Sequence, residues 1–398
     1  MTVAAKRIGM PDFRILSLDG GGTWALIQVK ALMAIYGPNK TGHQVLQDFD
    51  LVAANSGGSI VAGALACDFR LADILGYFKD AAWRDQIFVG LPWYQKLNPL
   101  RLGVPMPRYD ARAKLDGLRC VFGKVGDLSI DQLAGQWGGK PHLLITAFDY
   151  ERERAVFFRT NSQSPVRSFA QPIPATLAQA VHASTNAPIK YFDAPAAFSD
   201  HLFWDGAMSA VNNPVLIAVT EAVAFTDKSS IRARSIGTGS VFRPIDGGEP
   251  PLVQPRVDPG YLSDITKAAG CILDDPPDAA SFIAYAFIDG RFPAQNEIPL
   301  KSDKLLRLNP LVQPVRGLSN HWVVPGADLP NPPLSIQDFE RLIALEIDAR
   351  APDDILLIER FCDAWLNDVV PNQPVRANSS TLECEIGHRF FSDAKAVW

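Results

Sequence analysis

The sequence has no strong excess of charge of either sign: 38 basic residues stand against 43 acidic ones, a net charge of −5 over 398 residues. Proteins that grip nucleic acid draw affinity from neutralised phosphates and need a basic face. Nothing in the composition supplies one, and nucleic acid is not an expected partner. Cysteine is scarce as well. The five residues Cys67, Cys120, Cys271, Cys362 and Cys384 are odd in number, far apart and without a Cys-x-x-Cys pair. That excludes a disulfide framework or a zinc site and fits a reducing compartment. Long hydrophobic runs are missing too, so no segment reads as a bilayer span. Met1 is followed by Lys6 and Arg7 but by no apolar stretch, so no secretory signal is read. The expected location is the cytoplasm, and a lipid would be met as a monomer or by transient contact with a membrane surface. Internal repeats and low-complexity tracts are absent.

What is present is a globular composition, 47% hydrophobic and 20% charged, in a chain long enough for a large core. Phe13-Arg-Ile-Leu-Ser-Leu18 reads as a buried strand that ends at Asp19 and three glycines. Apolar residues at Leu26, Val29, Leu32, Met33 and Tyr36 have helical spacing, and Gly37-Pro38 stops the helix. Asp50-Leu-Val-Ala-Ala54 is a second strand, broken at Asn55-Ser56-Gly57-Gly58, with a helix following from about Ile60. Strand, turn, helix, repeated, predicts an α/β fold: a three-layer α/β/α arrangement with a mostly parallel central sheet. Further strands are predicted at His142–Phe148, Val156–Arg159, Ile231–Ile236 and Leu305–Leu308, and helices at Ala175–His182 and near Pro214–Ala222. Residues 12–245 form the predicted core. Residues 246–398 form an extension, with one late strand at about 305–308 and helices at about 335–349 and 353–369, packed on the same domain. Residues 86–109 are apolar, aromatic and punctuated by proline, as in a packed loop or a lid.

Three small-residue turns carry the chemistry. Ala54-Asn55-Ser56-Gly57-Gly58 lies between a buried strand and a helix, where a nucleophile elbow lifts a serine hydroxyl clear of a sheet. A simple helix-starting turn would read the same way. Asp19-Gly20-Gly21-Gly22 offers backbone amides free of any Cβ, a cradle for a phosphate or for a tetrahedral oxyanion. Its looser match to a dinucleotide-binding loop lacks the acid expected some twenty residues later. Asp205, in Trp204-Asp205-Gly206-Ala207, is either an ordinary Asp-Gly turn or a carboxylate placed to take a proton. None of the six histidines has a carboxylate at an interpretable spacing.

Taken together, these residues resemble the patatin-like phospholipases. Asp19-Gly-Gly-Gly is similar to the family's oxyanion loop, Asn55-Ser-Gly-Gly to its elbow and Asp205-Gly-Ala to its Asp-Gly-Ala/Gly motif. Ala183-Ser-Thr-Asn-Ala-Pro, Asn212-Asn-Pro, Ser235-Ile-Gly-Thr-Gly and Leu305-Leu-Arg-Leu resemble further family segments, in the same order. The resemblance implies a patatin-like catalytic core that cleaves carboxylic esters of lipids without metal or cofactor. It implies Ser56 as nucleophile, Asp205 as base, and backbone amides among Gly20, Gly21, Gly22 and Gly57 as the oxyanion hole. Two positions depart from the family: Trp24 stands where a cation is usual, and Ala54 where the elbow has glycine. They motivate a second reading, a catalytically weak module that binds lipid or protein. A third reading is a kinase of the actin-like ATPase fold, with Ile236-Gly-Thr-Gly-Ser240 as its second phosphate loop.

Overall fold

The computed structural model describes residues 12–92, 106–160, 173–241, 260, 276–291, 301–316, 321–373, 375 and 386–398. Within them, the eight strands of the central sheet are β1 (Phe13–Leu18), β2 (Leu51–Ala54), β3 (His142–Asp149), β4 (Arg154–Arg159), β5 (Ala196–Phe198), β6 (His201–Asp205), β7 (Ile231–Ile236) and β8 (Leu305–Leu308). Pairings β3–β2, β2–β1, β1–β7 and β7–β8 are parallel; β4, β6 and β5 join antiparallel. The fold is thus mixed α/β, with β8 from the C-terminal part of the chain completing the same sheet as β1.

Side chains in a strand alternate between faces, and here both faces are covered. On one, Leu16, Leu18, Val52, Ala54, Ile145 and Leu308 pack under the helices Leu26–Tyr36, Ser56–Ala66 and Pro352–Leu366. On the other, Ile15, Leu51, Ala53, Leu144, Ala233 and Leu305 meet the helix Val215–Ala222 and the helix at 276–289. Burial on both faces explains why these strands read as continuous apolar runs.

The strand β3 has three partners and only two edges. Leu144 faces both Ala53 of β2 and Arg159 of β4, while Ala147 faces both Asp205 of β6 and Val156 of β4. One edge of β3 therefore belongs to β4, and β2 and β6 share the other end to end. Because β2 runs parallel to β3 and β6 antiparallel, the C-terminal ends of β2 and β6 point at each other. Ala54 lies opposite Ile145 and Asp205 opposite Ala147, with Thr146 between them. This convergence brings together two turns far apart in sequence.

Some expected boundaries move. The glycine loop leads first into a 3-10 turn, Gly22–Ala25, before the helix Leu26–Tyr36. The helix expected over 335–349 ends at Ala344, because Leu345 turns extended (φ −68°, ψ 135°). Residues 345–350 form a strap instead. The second C-terminal helix runs Pro352–Leu366. Residues 93–105 of the expected loop or lid, and Cys271 and Cys384, lie outside the described residues. Cys67, Cys120 and Cys362 are free thiols. Among the described residues, no helix is long and apolar enough to cross a membrane.

Candidate active site

Ser56 follows β2 directly and opens the helix Ser56–Ala66 with φ at +46°, a left-handed backbone that a non-glycine residue rarely adopts. Such strain at a strand-to-helix turn is what the elbow geometry requires. The Ser56 amide donates to Ser184 Oγ (2.9 Å), and Ser59 Oγ donates to the Ser56 carbonyl (2.6 Å). The serine is 6% exposed and opens into a cavity of about 340 Å³.

Asp205 ends β6 and is 4% exposed. Its Oδ1 accepts from the Ala207 amide (2.9 Å) and from Asn55 Nδ2 (3.2 Å), and its amide donates to the Asn186 carbonyl (3.0 Å). The Ser56 hydroxyl lies near enough to its carboxylate to favour the charged form. Asn55 is fixed from behind, because Thr146 Oγ1 donates to Asn55 Oδ1 (2.6 Å). Gly206 has to be glycine: a Cβ there would stand 2.4 Å from Asn55 Oδ1 and 2.6 Å from Thr146 Oγ1. Burial raises the pKa of Asp205; the bonds from Ala207 and Asn55, the nearby Ser56 hydroxyl and the charge of Lys114 pull it down less strongly. No histidine is among the groups that act on it. His182 is buried and held neutral by desolvation, and His201 Nδ1 lies 3.3 Å from Asp149 Oδ2.

The glycine loop lies over the elbow. The Gly20 amide donates to the Asn212 carbonyl (2.9 Å), so it is committed within the protein. Among the described residues, no acceptor is assigned to the amides of Gly21, Gly22 or Gly57. Asp19 faces away from Ser56 into a bidentate pair with Arg307 of β8 (2.9 and 2.6 Å), and Arg307 also donates to Ser235 Oγ (2.8 Å). Gln28 Nε2 holds the carbonyls of Asp19 (2.9 Å) and Ile236 (3.0 Å). Sequence reasoning missed Arg307 and Gln28. The basic residue within Leu305-Leu-Arg-Leu308, a strand otherwise apolar, was the available signal for the first.

The strap closes the roof. The Thr23 amide donates to the Ile347 carbonyl (2.8 Å), and Trp24 Nε1 donates to the Glu346 carbonyl (3.2 Å). Trp24 thus binds the strap at the position where a cation was expected. Glu346 pairs with Lys190 (2.7 Å) and Arg108 (2.7 Å), and Asp348 with Arg108 (2.9 Å) and the Tyr109 hydroxyl (2.5 Å). Gly22, Ile60, Ile87 and Phe88 border both the Ser56 cavity and a second one of about 580 Å³, which extends between Ile74, Phe78, Leu118 and Phe122. The combined space is lined almost entirely by apolar side chains.

Elsewhere, Asp149, Glu151 and His201 bring ligand-type atoms within 4.8 Å of one another. The same spacing serves a close Asp149–His201 contact, and these residues do not join the groups around Ser56.

A protein-family model described as patatin-like phospholipase matches residues 16–219, just over half of the chain. An intracellular phospholipase A2 of Caenorhabditis elegans is 23% identical over 240 residues, covering 57% of this chain and 19% of that protein. A cGAMP-activated phospholipase of Pseudomonas aeruginosa is 25% identical over 246 residues, covering 60% of this chain and 66% of that protein. The match thus spans less than two thirds of either relative. Among solved structures, VipD from Legionella pneumophila is similar at a TM-score of 0.36 and 11% identity, covering 89% of this chain and 67% of that one. Human GIVD cytosolic phospholipase A2 is similar at 0.39 and 12%, covering 88% and 58%.

Proposed function

The chain belongs to the patatin-like phospholipases, whose family model and curated relatives support lipid acyl hydrolysis, and from that premise we propose that Ser56 and Asp205 cleave carboxylic esters of lipids through an acyl-Ser56 intermediate. The observation that carries the reading is the buried Asp205 carboxylate, brought beside the Ser56 turn where β2 and β6 converge and tied to that turn through Asn55.

The bonds from the Asn55 side-chain amide and the Ala207 backbone amide both fall on Oδ1 of Asp205, which leaves Oδ2 to face the reacting proton. As Ser56 Oγ attacks the acyl carbon, its proton passes to Asp205. The carbonyl oxygen takes up negative charge and is held by the amides of Gly21, Gly22 and Gly57. The Gly20 amide, spent on Asn212, is left out of this hole. Collapse expels the alcohol, which takes the proton from Asp205. Water then attacks the acyl-serine with Asp205 again as base, releasing the fatty acid and restoring Ser56. The two adjoining apolar cavities suit a hydrocarbon chain.

The test is hydrolysis of a short-chain p-nitrophenyl ester and of phospholipid vesicles by wild type, Ser56→Ala and Asp205→Asn. Both variants are expected to lose at least about a thousandfold in kcat. Activity that survives Ser56→Ala would refute the proposal. The alternative of a binding module with weak catalysis is motivated by Trp24 and Ala54, and rapid Ser56-dependent labelling by a fluorophosphonate would argue against it.

A further inference from the structure

Lys114 lies on the helix Ala111–Gly126 and is 0% exposed. A lysine is rarely buried, because its ammonium gives up strong hydration on leaving water. Its Nζ donates to Asn186 Oδ1 (2.9 Å) and to the His182 carbonyl (3.3 Å), both neutral acceptors, and sits 3.8 Å from the centre of the Phe192 ring. None of these contacts carries a balancing negative charge. Burial pushes the Lys114 pKa well below the usual lysine value, and among the described residues the acid whose field opposes that shift is Asp205; Lys114 in turn favours the ionised form of Asp205.

A single residue links the two. Asn186 accepts from Lys114 on its side-chain oxygen and from the Asp205 amide on its backbone oxygen, while its Nδ2 donates to the Ala194 carbonyl (2.7 Å). Phe192, under the ammonium, also lines the Ser56 cavity. Other charged groups nearby are engaged elsewhere. Asp110 and Asp193 accept from the amides of Ala113 and Ala111, Lys190 pairs with Glu346, and Arg119 faces Asp116 and Asp127. His182, on the helix packed against Lys114, is neutral.

We propose that Lys114 is a positioning residue of the hydrolytic site, the buried counter-charge that keeps Asp205 ionised and ready to accept the Ser56 proton. The inference rests on the Ser56–Asp205 reading. It also accounts for charge through the reaction. Before attack the negative charge is on Asp205. Once the Ser56 proton has moved to Asp205, the negative charge is on the substrate oxygen. With Lys114 charged, the buried site is neutral overall in both states; without it, the site would carry a net negative charge throughout, which a low-dielectric interior opposes.

The test is the pH profile of kcat/KM for a short-chain ester with wild type, Lys114→Met and Lys114→Gln. Gln retains a donor for Asn186 but no charge, so the two variants separate hydrogen bonding from electrostatics. Both are expected to move the acid limb upward by about one pH unit, a roughly tenfold loss on the acid side that recovers on the alkaline side. An unmoved limb, or a loss uniform across pH, would overturn the inference by making Lys114 merely structural. Should neither variant fold, 13Cε shifts of lysines in the wild-type chain decide the matter. A charged Lys114 across the active range supports the proposal, and a neutral one overturns it. Hydrolysis that persists in Ser56→Ala defeats the functional reading; Ser56-dependent hydrolysis with an unmoved limb defeats this inference alone.

Discussion

Asp205 holds an ionisable group in a buried position, and that placement has a thermodynamic sign. Its folded-state pKa lies above its unfolded one because burial outweighs its hydrogen bonds. The ionised form therefore costs stability, and the cost appears as pH rises through the folded-state value and vanishes below the unfolded one. In the double variant Asp205→Asn/Lys114→Met, the asparagine Oδ1 can still accept from Asn55 and Ala207, the cost is removed and no buried ammonium is left uncompensated. The variant is expected to melt about 2 °C or more above wild type at neutral pH, with the difference closing on acidification. Calorimetry at two pH values checks this, and a gap that widens in acid would contradict it. At this scale the sequence was partly legible. Ser56 and Asp205 stand among small residues at abrupt chain turns, and the structure brings those two turns together. Lys114 was not legible, since a lysine on a helix otherwise reads as a solvent-facing residue, and nothing local says that Asp205 lies beyond Asn186.

Among the elements, the strap at 345–350 was misread as the end of a helix. The apolar positions Ile336, Phe339, Leu342 and Ile343 do form a helical stripe. What stops it is tertiary: the carbonyls of Glu346 and Ile347 are taken by Trp24 and Thr23. The strands were easier, because residues buried on both faces leave unbroken apolar runs, and Ile231–Ile236 and Leu305–Leu308 fall where they were expected. The edge that β2 and β6 share could not be read, since strand partners are set by long-range packing. Asp348 is the strap's best-anchored side chain, bound to Arg108 and the Tyr109 hydroxyl. Asp348→Ala is expected to cost about 1–3 kcal/mol and to speed proteolytic cleavage within 345–350 several-fold. Equal cleavage rates in the two proteins would show that Asp348 does not hold the strap.

Over the whole molecule, the Asp19–Arg307 pair ties the glycine loop to the last strand of the sheet. Removing one charge of a buried pair leaves the other uncompensated, at a cost of about 3–5 kcal/mol, whereas replacing both with apolar residues is often close to neutral. Arg307→Met should lower stability by that amount in denaturant unfolding, and Asp19→Leu added to it should recover most of the loss. Strict additivity of the two would refute the coupling. The strap has a consequence in time as well as in space. The Trp24 side chain reaches a carbonyl 322 positions further along the chain, and the neighbouring glycine loop takes its Asp19 partner from β8. A ribosome that has released β1, the elbow and Asp205 has made every group that the chemistry uses, but not the residues that hold the loop and roof in place. The nascent chain therefore acquires the roofed geometry of the candidate site only late in synthesis.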